Sequence, residues 1–262
     1  MAAGEIGVEK QRIGKAKRRW WLLLLTLPAW AALGFVLWAV IVPPPMPEAL
    51  SALQPDELTS VEFGRWLVYR PLEPDIPAGL ILYPGGRVDY RAYAPAARAI
   101  AAEGYLVVIV RMPLNLAVFA PDRAGQVIRA FPQVNRWAVG GHSLGGSMAA
   151  RFAYQHPDQV QGLVLWASYP AATDDLSMRG LAVVSVYGTR DGLATGPKIE
   201  ASRALLPATT RWVAIEGGNH AQFGWYGPQS GDNGAVISRQ AQQGQVVEAT
   251  IELLKIVAAG QP

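Results

Sequence analysis

Ser143 lies in Val139-Gly140-Gly141-His142-Ser143-Leu144-Gly145-Gly146, where a strand-like run over 136–141 gives way to a helix-like one over 144–156. The spacing Gly141-x-Ser143-x-Gly145 is the sequence form of a nucleophile elbow. In such a turn the serine is held in a strained conformation between strand and helix, and small neighbours let the two elements approach. The chemistry it offers is attack of a hydroxyl on an electrophilic carbon. The same five residues also suit an ordinary glycine-rich turn, so the test is whether a base, an acid and oxyanion donors stand elsewhere in the right order.

A serine hydroxyl needs a base within hydrogen-bond reach, and imidazole suits because its pKa lies near working pH. The chain has three histidines. His142 adjoins the serine, and neighbouring side chains diverge in a tight turn, so it reads as filling space beside the elbow. His156 ends the helix after Ser143, where it suits the helix dipole. His220 remains, in the loop Glu216-Gly217-Gly218-Asn219-His220-Ala221. For the acid, chains with this elbow run in the order Ser, Asp or Glu, His. Asp191, in Tyr187-Gly188-Thr189-Arg190-Asp191-Gly192, fits best, with Asp174, Asp175 and Asp158 as competitors. Donors for a developing oxyanion are the backbone N–H of Leu144 and that of Gly86 or Arg87, in Pro84-Gly85-Gly86-Arg87.

These groups must be held by regular elements. Runs over 78–83, 105–110, 136–141, 162–167, 181–187 and 211–216 read as strands, with an edge strand over 61–69. Helical spacing occupies 91–103, 121–131, 144–156 and 197–206. Ser238 can cap a closing helix in which Val246, Val247, Thr250, Ile251, Leu254 and Val257 recur at helical spacing. Gln240, Gln242, Gln243 and Gln245 read as its solvated start. Strands alternating with helices predict an α/β fold, a mostly parallel doubly wound sheet with ligands at the carboxyl ends of the strands. Ser143, Asp191, His220 and Gly86 all follow predicted strands.

The segments Pro84-Gly85-Gly86, Gly141-His142-Ser143-Leu144-Gly145-Gly146, Gly188-Thr189-Arg190-Asp191-Gly192 and Gly218-Asn219-His220 resemble the α/β-hydrolase fold superfamily over about residues 61–262. The likeness is nearest to its compact fold-5 group, which includes dienelactone-hydrolase-like sequences. It implies Ser143 as nucleophile, Asp191 as acid and His220 as base. Dienelactone hydrolases carry cysteine in place of Ser143, and dehalogenases and epoxide hydrolases carry aspartate, so those chemistries are not expected. Only 13 residues separate the strands ending at Ala167 and starting at Leu181, which leaves no room for a cap domain. An open pocket bounded by Asn115, Trp166, Tyr169, Phe223, Trp225 and Tyr226 is one reading of those residues. Core or sheet-edge packing is the other.

Ahead of this domain, Trp20 to Val42 is a stretch of 23 residues without a charge, which as a helix spans about 34 Å and would cross a bilayer. Residues 1–19 hold six of the 23 basic and two of the 20 acidic residues, leaving 17 and 18 for the rest. The net charge of +3 is therefore a property of the tail, and the remaining chain offers no basic face for nucleic acid. The expected organisation is a basic cytoplasmic tail (1–19), a transmembrane helix (20–42), a proline-rich linker (43–60) and an extracytoplasmic domain (61–262). With no cysteine, disulfides and thiolate metal sites are excluded. No nucleotide fingerprint or ligand-spaced cluster implies a cofactor or metal. The function expected is a membrane-anchored serine hydrolase, carboxylesterase-like, cleaving a small-molecule ester or thioester through an acyl-enzyme. Acyl transfer by the same triad and a non-catalytic binding module are the alternatives.

Overall fold

The structure, a computed structural model, describes residues 26–260. The chain divides into two compact units, one ending at Ile41 and one starting at Val42. In the first, residues 26–40 form a helix, α1. The tail 1–19 and the first residues of the expected membrane helix, 20–25, lie outside the described residues. Among the described residues no helix is long and apolar enough to cross a membrane.

The second unit is built on eight strands: β1 (Thr59–Phe63), β2 (Trp66–Pro71), β3 (Gly79–Tyr83), β4 (Leu106–Val110), β5 (Trp137–His142), β6 (Gly162–Trp166), β7 (Ala182–Gly188) and β8 (Arg211–Ile215). They form one sheet in the order β1-β2-β4-β3-β5-β6-β7-β8, antiparallel at β1, β2 and β4 and parallel from β4 to β8. Every residue of β3, β4, β5 and β6 is buried, as expected of parallel strands covered on both faces. The pleat sends Leu80, Leu82, Val107 and Ile109 into one core and Ile81, Tyr83, Leu106 and Val108 into the other. Helices α3 (Ala94–Ala102), α6 (Gly196–Ala201) and α7 (Arg239–Ala259) supply residues to the first core, and α4 (Arg123–Ala130) and α5 (Leu144–Gln155) to the second. Each fully buried Leu or Ile contributes about 1.5–3 kcal/mol.

The chain leaves β3 for β4 on one side and then returns to β5 on the other side of β3. At such a reversal the loops at the carboxyl ends of neighbouring strands open a crevice. The loops after β3 and β5 carry Gly86 and Ser143. The connection from β6 to β7 holds no helix, in line with the expected absence of a cap domain.

Three sequence expectations change. The edge strand over 61–69 is a hairpin instead: β1 and β2 pair antiparallel with Phe63 opposite Leu67, and Gly64 N–H donates to Trp66 O (3.1 Å) across the turn. Three residues, Gly64, Arg65 and Trp66, lie between that last pair and make the turn. Within 43–60, expected as a proline-rich linker, a short helix α2 (Pro47–Ser51) forms with proline in its first turn, where no donor is lost, and its Ala49 is buried. In the glutamine cluster, Gln242 and Gln243 are buried rather than solvated. Ser238 does cap α7, accepting from Ala241 N–H (3.1 Å).

Candidate active site

The turn from β5 to α5 puts Ser143 at φ 53°, ψ −124°, a conformation that costs a non-glycine residue about 1–3 kcal/mol. The surroundings hold it there. Ser143 N–H donates to Trp166 O (2.9 Å), and its carbonyl accepts from Ser168 Oγ (2.6 Å) and Ser147 N–H (3.1 Å). The flanking glycines are required by close approach. A Cβ on Gly145 would lie 2.3 Å from both Tyr83 O and Pro84 O, and one on Gly141 would lie 2.6 Å from Tyr83 O. These are backbone atoms of β3 and its loop, which cannot swing aside. Gly145→Ala is therefore expected to push β3 and α5 apart and to lower stability by about 3 kcal/mol or more. Chemical denaturation reads this directly, and a midpoint unchanged from wild type would show that the elbow is looser than drawn.

Asp191 follows β7 and His220 follows β8. The two side chains are fully buried, and His220 Nδ1 lies 2.8 Å from Asp191 Oδ2. The other carboxylate oxygen, Oδ1, accepts from the N–H groups of Leu193 and Ala194, each at 2.7 Å. His220 Nε2 is buried with no hydrogen-bond partner among the described residues. Ser143 and His220 line one cleft of about 270 Å³, together with Leu144, Ser147, Tyr169 and Leu193. No charged side chain lines it. The competing carboxylates lie elsewhere: Asp174 is buried and accepts from Thr173 Oγ1, Asp175 caps Ser177 N–H, and Asp158 borders a groove with Arg179. His156 pairs with Asp122 at 3.2 Å.

Of the two loop amides named for the oxyanion, that of Arg87 donates to Asn115 O (2.8 Å) and is committed. Gly86 is the one that faces the elbow: a Cβ placed on it would lie 3.1 Å from Leu144 Cδ2. Leu144 is the first residue of α5, so its N–H has no intrahelical acceptor. Gly86 and Leu144 therefore pack against each other beside the elbow.

Among the aromatics considered for the pocket, Tyr169 borders the cleft. Trp166 is instead buried in the core, with Nε1 donating to Thr250 Oγ1 (3.1 Å). Phe223 is buried and stacks on His142, with ring centroids 5.7 Å apart. Tyr226 is buried and bonded to Gln229, and Trp225 faces a separate groove against α3 and α7. Asn115 contributes its carbonyl to the Arg87 bond. The side chains that line the cleft are thus mostly smaller than this set.

Several groups that hold the site escaped the sequence reading. Asp232 accepts from the N–H groups of Gly192 (3.1 Å), His220 (3.2 Å) and Ala221 (2.8 Å), and so ties the loop of Asp191 to the loop of His220. Gln242 accepts from Asn219 N–H (3.0 Å) and donates to Asn219 O (2.7 Å), while Gln243 donates to Gln222 O (2.6 Å). Arg239 donates to the carbonyls of Ala221 and Gly224, and its burial pushes its pKa down from the usual value. One signal was present for Gln242: it stands four residues before Val246, on the apolar stripe of α7. His142 is fully buried and bonded through Nδ1 to Tyr93 Oη (2.9 Å). Burial, with His220 nearby, pushes its pKa well below the usual histidine value, so it is neutral at pH 7. Among the described residues no group of three or more His, Asp or Glu could hold a metal ion.

The geometry can be set beside known proteins. A search of the curated proteins finds none that matches. Solved structures share the fold at low identity. One is a predicted CIB-like hydrolase from Thermoplasma acidophilum (16% identity, 75% of this chain and 99% of that one, TM-score 0.55). Another is the esterase domain of a Rhodothermus marinus protein (13%, 76% and 98%, TM-score 0.58). A third is a dienelactone hydrolase-like promiscuous phosphotriesterase from metagenomic libraries (14%, 76% and 99%, TM-score 0.55). A model of the alpha/beta hydrolase family matches residues 79–244, a span that runs from β3 into α7 and takes in Ser143, Asp191, His220 and the Asp232 clamp. With more than half its length covered by that match, the chain belongs to the alpha/beta hydrolase family.

Proposed function

We propose that this hydrolase cleaves an ester or thioester through an acyl-enzyme on Ser143, with His220 as base and Asp191 as the acid that orients it. The observation that carries the reading is the buried His220–Asp191 pair, whose free Nε2 and the strained Ser143 share one cleft. Because Asp191 accepts the Nδ1 proton, Nε2 is left as the acceptor. Ser143 Oγ bonds to the acyl carbon as its proton passes to Nε2, and the amides of Leu144 and Gly86 hold the oxyanion. Collapse breaks the carbon–oxygen or carbon–sulfur bond, and the alcohol or thiol departs with the proton from Nε2. Water then gives a proton to Nε2 and attacks the acyl carbon, releasing the acid and restoring the Ser143 hydroxyl. The cleft is uncharged and smaller than the 300–1,000 Å³ typical of drug-sized ligands, which favours short neutral acyl groups.

The test is labelling of the intact protein with a fluorophosphonate, followed by peptide mapping and turnover of short-chain p-nitrophenyl esters. A label on Ser143 with measurable turnover is expected. A folded protein that takes no label and turns over no ester removes the assignment.

We further propose that residues 20–42 anchor the enzyme, with residues 1–19 cytoplasmic and the catalytic domain outside. This rests on the uncharged length of the segment and the six basic residues that precede it. Protease added to spheroplasts is expected to degrade the domain while it fractionates with membranes. A domain shielded until lysis rules the orientation out, and one released by a salt wash rules the anchor out.

A further inference from the structure

His142 is immobilised more thoroughly than space-filling requires. Gly85 N–H donates to Tyr93 Oη (2.9 Å), and Tyr93 Oη lies 2.9 Å from His142 Nδ1. The hydroxyl oxygen accepts from Gly85 and keeps one proton and one lone pair, so it pairs with Nδ1 in either imidazole tautomer. All of this is buried: Tyr93 is 1% exposed and His142 0%. The approach is also close, for a Cβ on Gly85 would lie 2.7 Å from Nδ1 and 3.0 Å from Tyr93 Oη.

The same ring touches the other two parts of the site. It stands one residue before Ser143, and its centroid is 4.5 Å from that of His220. Phe223, at the end of the His220 loop, stacks on it within 11° of parallel. A single buried imidazole therefore meets the nucleophile turn, the base and, through Tyr93, the residue before Gly86.

Resting on the serine-hydrolase reading above, we propose that His142 and Tyr93 are positioning residues that lock the Gly85-Gly86 loop against the elbow, so that the Gly86 amide is aimed before the oxyanion forms. The Tyr93 hydroxyl satisfies an amide that would otherwise be buried and unpaired, and His142 fixes the direction of that hydroxyl. An oxyanion donor is worth most when its place is set in advance. A displacement of about 1 Å in such a group can cost on the order of a hundredfold in rate.

The experiment compares wild type with Tyr93→Phe, His142→Leu and His142→Asn. The asparagine amide can place an oxygen where Nδ1 stands. Turnover of a short p-nitrophenyl ester and the rate of fluorophosphonate labelling are measured, with thermal melts to confirm folding. Tyr93→Phe and His142→Leu are expected to lower kcat and the labelling rate by about 10- to 100-fold with KM within twofold. His142→Asn is expected to stay within about threefold of wild type, since its amide restores a hydrogen-bond partner for Tyr93 Oη. Wild-type turnover in Tyr93→Phe and His142→Leu, with Ser143 still labelled, overturns the proposal and leaves the nucleophile standing. A rise in KM at constant kcat, or an asparagine variant as slow as the leucine one, also overturns it. Should His142→Leu not fold, Tyr93→Phe and His142→Asn decide between the same outcomes. Folded wild type that neither labels nor hydrolyses removes the serine-hydrolase reading itself.

Discussion

Ser143→Ala is expected to give a folded protein that takes no fluorophosphonate label and whose kcat for short esters falls on the order of a millionfold, as for triad serines in other hydrolases. The substitution removes a hydroxyl that shares one cleft with an unpartnered Nε2, and little else. Ser143 makes no side-chain hydrogen bond that caps α5, and alanine carries the same Cβ through the same φ of 53°. The backbone strain is inherited unchanged, so the melting temperature should move by only a few degrees. Two other hydroxyls border the cleft and could be suspected of taking over. Ser147 Oγ donates to Tyr169 O (2.7 Å) and Ser168 Oγ to Ser143 O (2.6 Å), so both protons are committed to carbonyls. The remaining acceleration would come from the oxyanion amides and from binding. A variant keeping more than about one per cent of wild-type turnover would mean that another group attacks, since a lost triad nucleophile costs far more than that.

The strand ends were legible in the sequence because buried parallel strands read as short unbroken apolar runs, as at Leu106–Val110. The loops after them could be found for the same reason, and with them Gly86, Ser143, Asp191 and His220. The hairpin was not legible. Gly64-Arg65 stands between Val61-Glu62-Phe63 and Trp66-Leu67-Val68-Tyr69, and a turn this short leaves little mark in a run of nine residues. Large aromatics near the strand ends were ambiguous by nature. Trp166 and Phe223 are core residues here while Tyr169 lines the cleft, and only the direction of each Cβ separates them.

Backbone strain was equally hidden. Among the described residues, those other than glycine with positive φ are Arg87, Leu114, Asn115, Ser143 and Ala167. They stand on the loops after β3, β4, β5 and β6, beside one another at the carboxyl end of the sheet. Leucine, alanine and arginine carry no local sign that they will adopt φ near 50°. The conformation is imposed from outside, by bonds such as Arg87 N–H to Asn115 O, which spends one amide and leaves Gly86 facing Leu144. Side-chain clamps such as Asp232 are invisible for a related reason, because each of the donors it accepts from is a backbone N–H with no residue identity to read.

Asp191→Asn is expected to lower kcat by about 10³- to 10⁴-fold with the fold retained, and the geometry says why an isosteric change should do so much. Oδ1 accepts from two amides, those of Leu193 and Ala194. In the variant only the amide oxygen can meet those donors, so the NH₂ group is forced to the Oδ2 position, 2.8 Å from His220 Nδ1. A donor there cannot face an N–H. His220 must then turn its proton onto Nε2, the nitrogen that has to accept from Ser143, and the base is held in the wrong tautomer. The buried imidazolium of the transition state also loses its counter-charge. Both effects act on the base and neither on the shape of the cleft, so KM should change little while kcat and the labelling rate fall together. Asp191→Ala lacks the misdirected donor, so comparing the two separates tautomer from charge. If Asp191→Asn turns over as wild type, the 2.8 Å bond is structural and another group orients His220.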